Sequence, residues 1–532
     1  MNIITILIDS LNRDALSIYN PETRVRTPNI DRLAARGTVF DNHFVGSLPC
    51  MPARREIMAG RKEFLWRPWG PLEVFDPRLA QLMTDAGFRT GLVTDHYHYW
   101  EEEANGYIEH FESADYVRGH EMDRWKLADM TASVPAWVER MGRFRDETYT
   151  RQYWANVKDF RGEEDYFPAK VFKGAADWLD ANAAKGPFWL HVENFDVHEP
   201  FDAPEPYASM YTDDPSARSR FTVWPPYQKY DALKEFMSQT SEEELEYIRS
   251  QYEAKVTMAD RWLGHLLDRL DTLQLWDDTV IIFTTDHGHD LGQRGVFGKQ
   301  YPHYDSHANI PLVIWHPDHP GGGRHEVRLS QTVDIFATTL DAVGAPIPPA
   351  NRHSRSLMPL LRDEAEPVRD AVIYGTFGQG VCITDGDWTL FKSPVPDMPL
   401  HVYSTFIARP LIVDNPVDGR VGRLPTPPVD QGNFDESVPY PMWKMPVKID
   451  PRSHQDFLFD RRSDPAQTSN RWDDRVDVRQ SMLQALRALM QEEGTPDDQW
   501  ERLGLEKPIS ARLDQSQGLA QTDAASMPQQ GG

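Results

Sequence analysis

Five short apolar runs, set apart by stretches of helical periodicity, fix the architecture open to this chain. IITILI (3–8), RTGLVTD (89–95), PFWLHVEN (187–194), DTVIIFTTD (278–286) and IPLVIWH (310–316) have the length and β-branched content of buried strands. Helical patterns fall between and after them. TPNIDRLAARG at 27–37 is ended by Gly37, and DPRLAQLMTDAG at 76–87 has Asp76 as its expected N-cap. Further helices are expected at 168–184, at 241–270 with an acidic first turn, and at 332–344. Strands hydrophobic on both faces and separated by helices predict an α/β fold, a mostly parallel sheet sandwiched by helices.

The pattern changes beyond about residue 370. Shorter strand-like pieces (AVIYGTF, WTLFK) and a helix at 480–494 predict a smaller C-terminal α+β subdomain, 371–508, beside a catalytic domain of residues 1–370. A Pro-rich stretch at 393–451 lacks periodicity and is expected to lie over the surface, as an active-site wall or an oligomer contact. Residues 509–532, rich in Gln, Ser and Ala, are expected to be disordered or an arm clasping a second copy, so a homo-oligomer is anticipated.

Composition narrows the partners. With 82 acidic against 56 basic residues the formal charge is −26, which repels phosphate backbones and anionic membranes. An anion can bind only where cations or a metal are gathered locally. The opening apolar run is too short for a signal peptide or a span, and no later stretch reaches the roughly twenty apolar residues a span requires. A cytoplasmic address is therefore expected, and the two cysteines, Cys50 and Cys382, are read singly rather than as a disulfide.

The segment CMPARREIMAGR, residues 50–61, resembles the signature of the type I sulfatases, Cys-x-Pro-x-Arg followed by a spacer and Gly-Arg. Cys50, Pro52, Arg54, Gly60 and Arg61 fall in register. An isolated C-x-P-x-R is more often a structural Cys at a helix start; the downstream Gly-Arg and the companion motifs reverse that prior. The resemblance implies an alkaline-phosphatase-like fold and oxidation of Cys50 to formylglycine by a formylglycine-generating enzyme. A hydrated aldehyde carries two hydroxyls on one carbon. One, deprotonated on a divalent ion, attacks sulfur or phosphorus; loss of the other's proton then expels the anion and regenerates the aldehyde. The segment is expected to begin a helix after Pro52, its N–H groups facing the oxyanions.

Asp9 and the pair Asp286–His287 follow buried strands, at the carboxyl ends where parallel sheets place ligand sites. With Cys50 they match the family's metal set, for which Ca²⁺ is the first choice and Mn²⁺ the alternative. One departure is Ser10, where many sulfatases carry a second Asp; Ala53 also replaces the commoner Ser. The phosphonate monoester hydrolase branch shares both features. By position in the family pattern, Arg54 and Lys299 (VFGKQ) would neutralise the oxyanion, and His198 (DVHEPF) would hold a non-bridging oxygen or protonate the leaving one. At VTDHYHYW the pattern breaks: Asp95 and Tyr97 stand where arylsulfatases place Lys-x-His. Substrate contacts then fall to His96, His98 or His303, with His307 a further candidate. The resemblance covers residues 1–365, with an echo at DFLFDRRSDPAQTSN; 100–165, 200–240 and 393–451 match no known motif.

The expected function is hydrolysis of a small-molecule sulfate ester. A phosphonate monoester or phosphodiester hydrolase using the same machinery is the alternative. A non-catalytic binder of sulfated ligands with unmodified Cys50 is a third reading. A phosphomutase is disfavoured because neither Ser nor Thr occupies position 50.

Overall fold

The computed structural model describes residues 1–508 apart from 102–103, 143–144, 226–229, 350, 365, 407–429, 436 and 450. The expected alternation is present. Strands β1 (Asn2–Ile8), β2 (Thr38–Phe40), β3 (Arg89–Thr94), β4 (Ser113–Tyr116), β5 (Phe188–Asn194), β6 (Thr279–Thr284), β7 (Leu312–Trp315) and β8 (Arg324–Glu326) form one sheet in the order β8-β2-β7-β6-β1-β5-β3-β4. β1 lies at its centre, paired in parallel with β5 on one side and β6 on the other. The sheet is mixed at one edge, since β7 pairs antiparallel with both β6 and β2.

Among the helices that cover the sheets are α1 (Pro28–Ala34), α2 (Cys50–Ala59), α3 (Leu79–Asp85), α4 (Phe167–Asn182), α5 (Glu242–Thr272), α6 (Asp334–Ala342) and, near the C-terminus, α7 (Val476–Glu492). β1 shows how both sheet faces are covered. Ile4, Ile6 and Ile8 pack with Val171 and Ala175 of α4 and Leu263 and Leu267 of α5, whereas Ile3 and Leu7 pack with Met51 and Ile57 of α2 and Phe336 of α6. Alternation along one strand feeds two cores, each fully buried aliphatic contributing about 1.5–3 kcal/mol. α5 starts where its acidic first turn indicates, with the Ser241 hydroxyl accepting from the Glu244 N–H at 3.2 Å. None of the described helices is long and apolar enough to cross a membrane.

A second sheet holds β9 (Val372–Thr376), β10 (Val381–Thr384), β11 (Trp388–Lys392) and β12 (Phe457–Asp460), backed by Met482, Leu486 and Met490 of α7. Its edge is completed by Ser47–Leu48, parallel to β9, immediately before Cys50. Within the Pro-rich stretch, Leu400–Ser404, Asp430–Gln431 and Trp443–Val447 make a three-stranded sheet, while 407–429 lies outside the described residues, as does the tail from 509.

Two local expectations are corrected. Asp76 does not cap α3, which begins at Leu79 after Arg78. Its carboxylate is buried and accepts from both terminal nitrogens of Arg67, at 3.0 and 2.7 Å, because a buried guanidinium needs a carboxylate partner. The helix of the signature starts at Cys50 itself, two residues earlier than Pro52.

Candidate active site

The adjacency of β1 and β6 builds the centre of the site. Both run in the same direction, so the residues leaving their carboxyl ends, Asp9 and Asp286–His287, emerge side by side. Position 50, first residue of α2, is brought to the same point. One donor atom from each of Asp9, Cys50, Asp286 and His287 lies within 4.8 Å of every other, and all four residues are buried. His287 Nε2 is 3.2 Å from Cys50 Sγ and 3.1 Å from Asp286 Oδ2. Its Nδ1 stands 2.9 Å from the Gly288 carbonyl, which fixes the ring and leaves Nε2 for a ligand.

Arg54 lies one helical turn after Cys50 and is fully buried. Its guanidinium donates to Asp9 at 2.8 Å, to Asp286 at 2.7 Å and to the Cys50 carbonyl at 3.1 Å, and it pairs with Glu193 through Nε. Three carboxylates against one guanidinium leave two formal negative charges, and Lys299 offsets a thiolate at position 50. Two carboxylates, one imidazole and a small donor at residue 50 therefore fit a divalent cation in both donor chemistry and charge. Ser10, in the place of a second acid, donates its hydroxyl to Asp9 at 2.7 Å and its N–H to Asp286 at 3.1 Å, so it orients the carboxylates without adding charge.

Lys299 Nζ is 3.4 Å from Cys50 Sγ. Burial pushes the Cys50 thiol up, but Lys299 and His287 outweigh it and bring it down to about 6. Burial pulls His287 down, while Asp286 and the Cys50 thiolate raise it to about 9. His198 lies on the loop after β5, the other neighbour of β1, and also contacts Cys50. Burial opposes its protonation, yet Glu199 and then Glu121 raise it well above the ordinary histidine range.

The remaining predicted residues take different places. His96 is buried, with Nε2 3.3 Å from Met51 Sδ and its ring against Phe195 at 4.5 Å. His98 is half-buried, with Nδ1 2.7 Å from Glu101 and its ring edge on Trp69 at 4.8 Å. His303 sits behind His287: its ring packs on His307 at 4.8 Å, and His307 in turn meets His287 at 5.6 Å. Asp95, in register with the family's Lys, accepts the Phe195 N–H at 2.6 Å under the site. Burial and then Asp196 raise its pKa well above the carboxylate range. Sequence reasoning missed Glu193, Glu121, Glu199 and His289. Glu193 carried a signal, the one acidic residue inside the buried strand FWLHVEN; His289 Nε2 meets Glu199 at 3.0 Å, a pairing no spacing announces.

Residues 1–345 match the family model of the sulfatases. The chain is 27% identical over 415 residues to the multifunctional alkaline phosphatase superfamily protein PehA of Trinickia caryophylli, covering 68% of this chain and 77% of that protein. It is 24% identical over 424 residues to the choline-sulfatase of Rhizobium meliloti, covering 73% and 77%. The crystal structure of the phosphonate monoester hydrolase of Agrobacterium radiobacter superposes with a TM-score of 0.65 at 20% identity, over 92% of this chain and 96% of that one.

Proposed function

This chain belongs to the sulfatase family, and from that premise we propose that it hydrolyses small-molecule sulfate esters through an aldehyde made from Cys50 by a formylglycine-generating enzyme. It is a sulfuric ester hydrolase. The observation that carries the mechanism is the meeting of Asp9, Cys50, Asp286 and His287 within one 4.8 Å cluster, drawn from three distant segments.

Asp9, Asp286 and His287 would hold the cation, for which Ca²⁺ is proposed because carboxylate oxygens predominate; when bound it lowers the pKa of a hydroxyl at residue 50 and draws charge from the ester. Arg54 ties the two carboxylates together. Lys299 presents its ammonium to residue 50 and offsets charge developing on the sulfuryl oxygens. His198, held protonated, donates to the bridging or a peripheral oxygen. Burial of the cluster keeps water from screening these charges.

Two observations favour a second reading, a phosphonate monoester or phosphodiester hydrolase: Ser10 lowers the negative charge around the metal position, and the Agrobacterium phosphonate hydrolase shares the fold over nearly the whole chain. Protein co-expressed with a formylglycine-generating enzyme decides between them. The expected outcome is a Cys50 peptide about 18 Da lighter than the thiol form and a kcat/KM larger on an aryl sulfate than on an aryl phosphonate. A larger value on the phosphonate selects the second reading, and a thiol at residue 50 with no turnover leaves a binder.

A further inference from the structure

Glu121 stands in the loop after β4, within the 100–165 stretch that shares no motif with the family, yet it is buried against the site. Its backbone is left-handed, at φ +43°, which a non-glycine residue keeps only where the surroundings enforce it. The enforcement is visible. His120 Nε2 lies 2.7 Å from Asp196, and the next residue, Glu121, places Oε1 2.8 Å from His198 Nδ1. Two successive side chains thus dock this loop onto the 195–200 loop. The other carboxylate oxygen, Oε2, accepts from the Tyr97 hydroxyl at 2.9 Å. Tyr97 is the residue standing where arylsulfatases carry the His of Lys-x-His.

The His198 ring is enclosed on the same side. Its Nδ1 also lies 2.9 Å from the Glu199 carbonyl, and Phe195 stacks on its face with centroids 4.4 Å apart and planes 20° from parallel. The backbone beneath is pinned by Lys255, which donates to the His198 and Pro200 carbonyls at 3.2 and 2.8 Å and pairs with Asp196 at 2.5 Å. Nδ1 is therefore hydrogen-bonded to the Glu199 carbonyl with the Glu121 carboxylate paired beside it, and the same ring contacts Cys50. From this geometry we infer that Glu121, itself aimed by Tyr97, is a positioning residue that sets the ring of His198 and commits its Nε2 to the reacting ester. This rests on the assignment of His198 to the reacting centre.

The test is a double-mutant cycle on metal-loaded, aldehyde-bearing enzyme with an aryl sulfate and an aryl phosphonate as probes. Glu121→Ala is expected to lower kcat about 10–100-fold with KM changed by less than about threefold. Tyr97→Phe lowers kcat less and in the same direction, and serves where Glu121→Ala fails to fold. On a His198→Gln background both substitutions are expected to have almost no further effect, because the partner through which they act is gone. Equal losses on the two backgrounds overturn the inference. A damaged His198→Gln enzyme with intact kcat in both Glu121→Ala and Tyr97→Phe overturns Glu121's role alone. An unimpaired His198→Gln enzyme overturns the assignment of His198 and Glu121's role with it, as does a wild type that turns over neither probe.

Discussion

At position 50 two opposing effects set the charge: burial favours the thiol, and Lys299 with His287 favours the thiolate, which prevails at about 6. In protein prepared without the modifying enzyme, alkylation of Cys50 is expected to rise through a midpoint near that value, and Lys299→Met to move the midpoint up because the dominant cation is lost. A midpoint unchanged in the variant would show that Lys299 does not face the sulfur. His287 is held protonated up to about 9 by Asp286 and the Cys50 thiolate, but a metal ligand must be neutral. Metal binding is then expected to release protons and to tighten as pH rises from about 6 to about 9. Equilibrium dialysis against Ca²⁺ across that range checks this, and a pH-independent affinity would remove His287 from the ligand set. The convergence of Asp9, Cys50, Asp286 and His287 was legible in the sequence because two strand ends and a short motif mark them, whereas Lys299 and His198 were named only by the resemblance to the family pattern. Glu121 was not legible, since its partners Tyr97 and His198 come from other loops, and neither was the pairing of Glu199 with His289, ninety residues on.

On the scale of elements, α2 must deliver Cys50 to the ends of β1 and β6, and its own end is fixed by Gly60. That residue has φ +66°, and a Cβ there would lie 2.6 Å from the Phe336 ring of α6. Gly60→Ala combines left-handed strain with overpacking against a ring that cannot retreat, so a loss of about 2–5 kcal/mol is expected in denaturant unfolding. A loss below about 0.5 kcal/mol, the scale of a neutral surface change, would contradict that packing. The Gly-Arg of the signature thus has a structural cause. Arg61 pairs with Glu63 and, at 3.3 Å, with Asp435 of the Pro-rich stretch. Periodicity located β1, β3, β5, β6, β7, α4, α5 and α6 to within a few residues. It could not show that β7 runs antiparallel, because a buried strand reads the same in either direction. The recruitment of Ser47–Leu48 into the C-terminal sheet was equally hidden, since two residues carry no period.

For the whole molecule, acid stability sets two effects against each other. A surface of formal charge −26 repels itself at neutral pH, and titration toward the pI of about 5.1 relieves that repulsion. Buried histidines act in the opposite sense. Desolvation lowers His43 and His191 to about 3. The unfolded chain binds protons at these sites from about pH 6.5 downward, whereas the folded chain refuses them until about 3. Stability from these two residues is therefore complete above about 6.5 and is lost progressively as pH falls toward 3. Salt separates the two effects, because about 0.5 M screens surface charges beyond roughly 4–5 Å but hardly touches a fully buried ring. In high salt the denaturation midpoint is expected to fall steadily between about pH 7 and 4, and more gently in His43→Gln. That variant keeps a polar side chain near Ser330, whose hydroxyl lies 2.9 Å from Nδ1, and removes the titration. A profile flat over this interval, or one equally steep in the variant, would mean that the histidines do not stay neutral inside the fold.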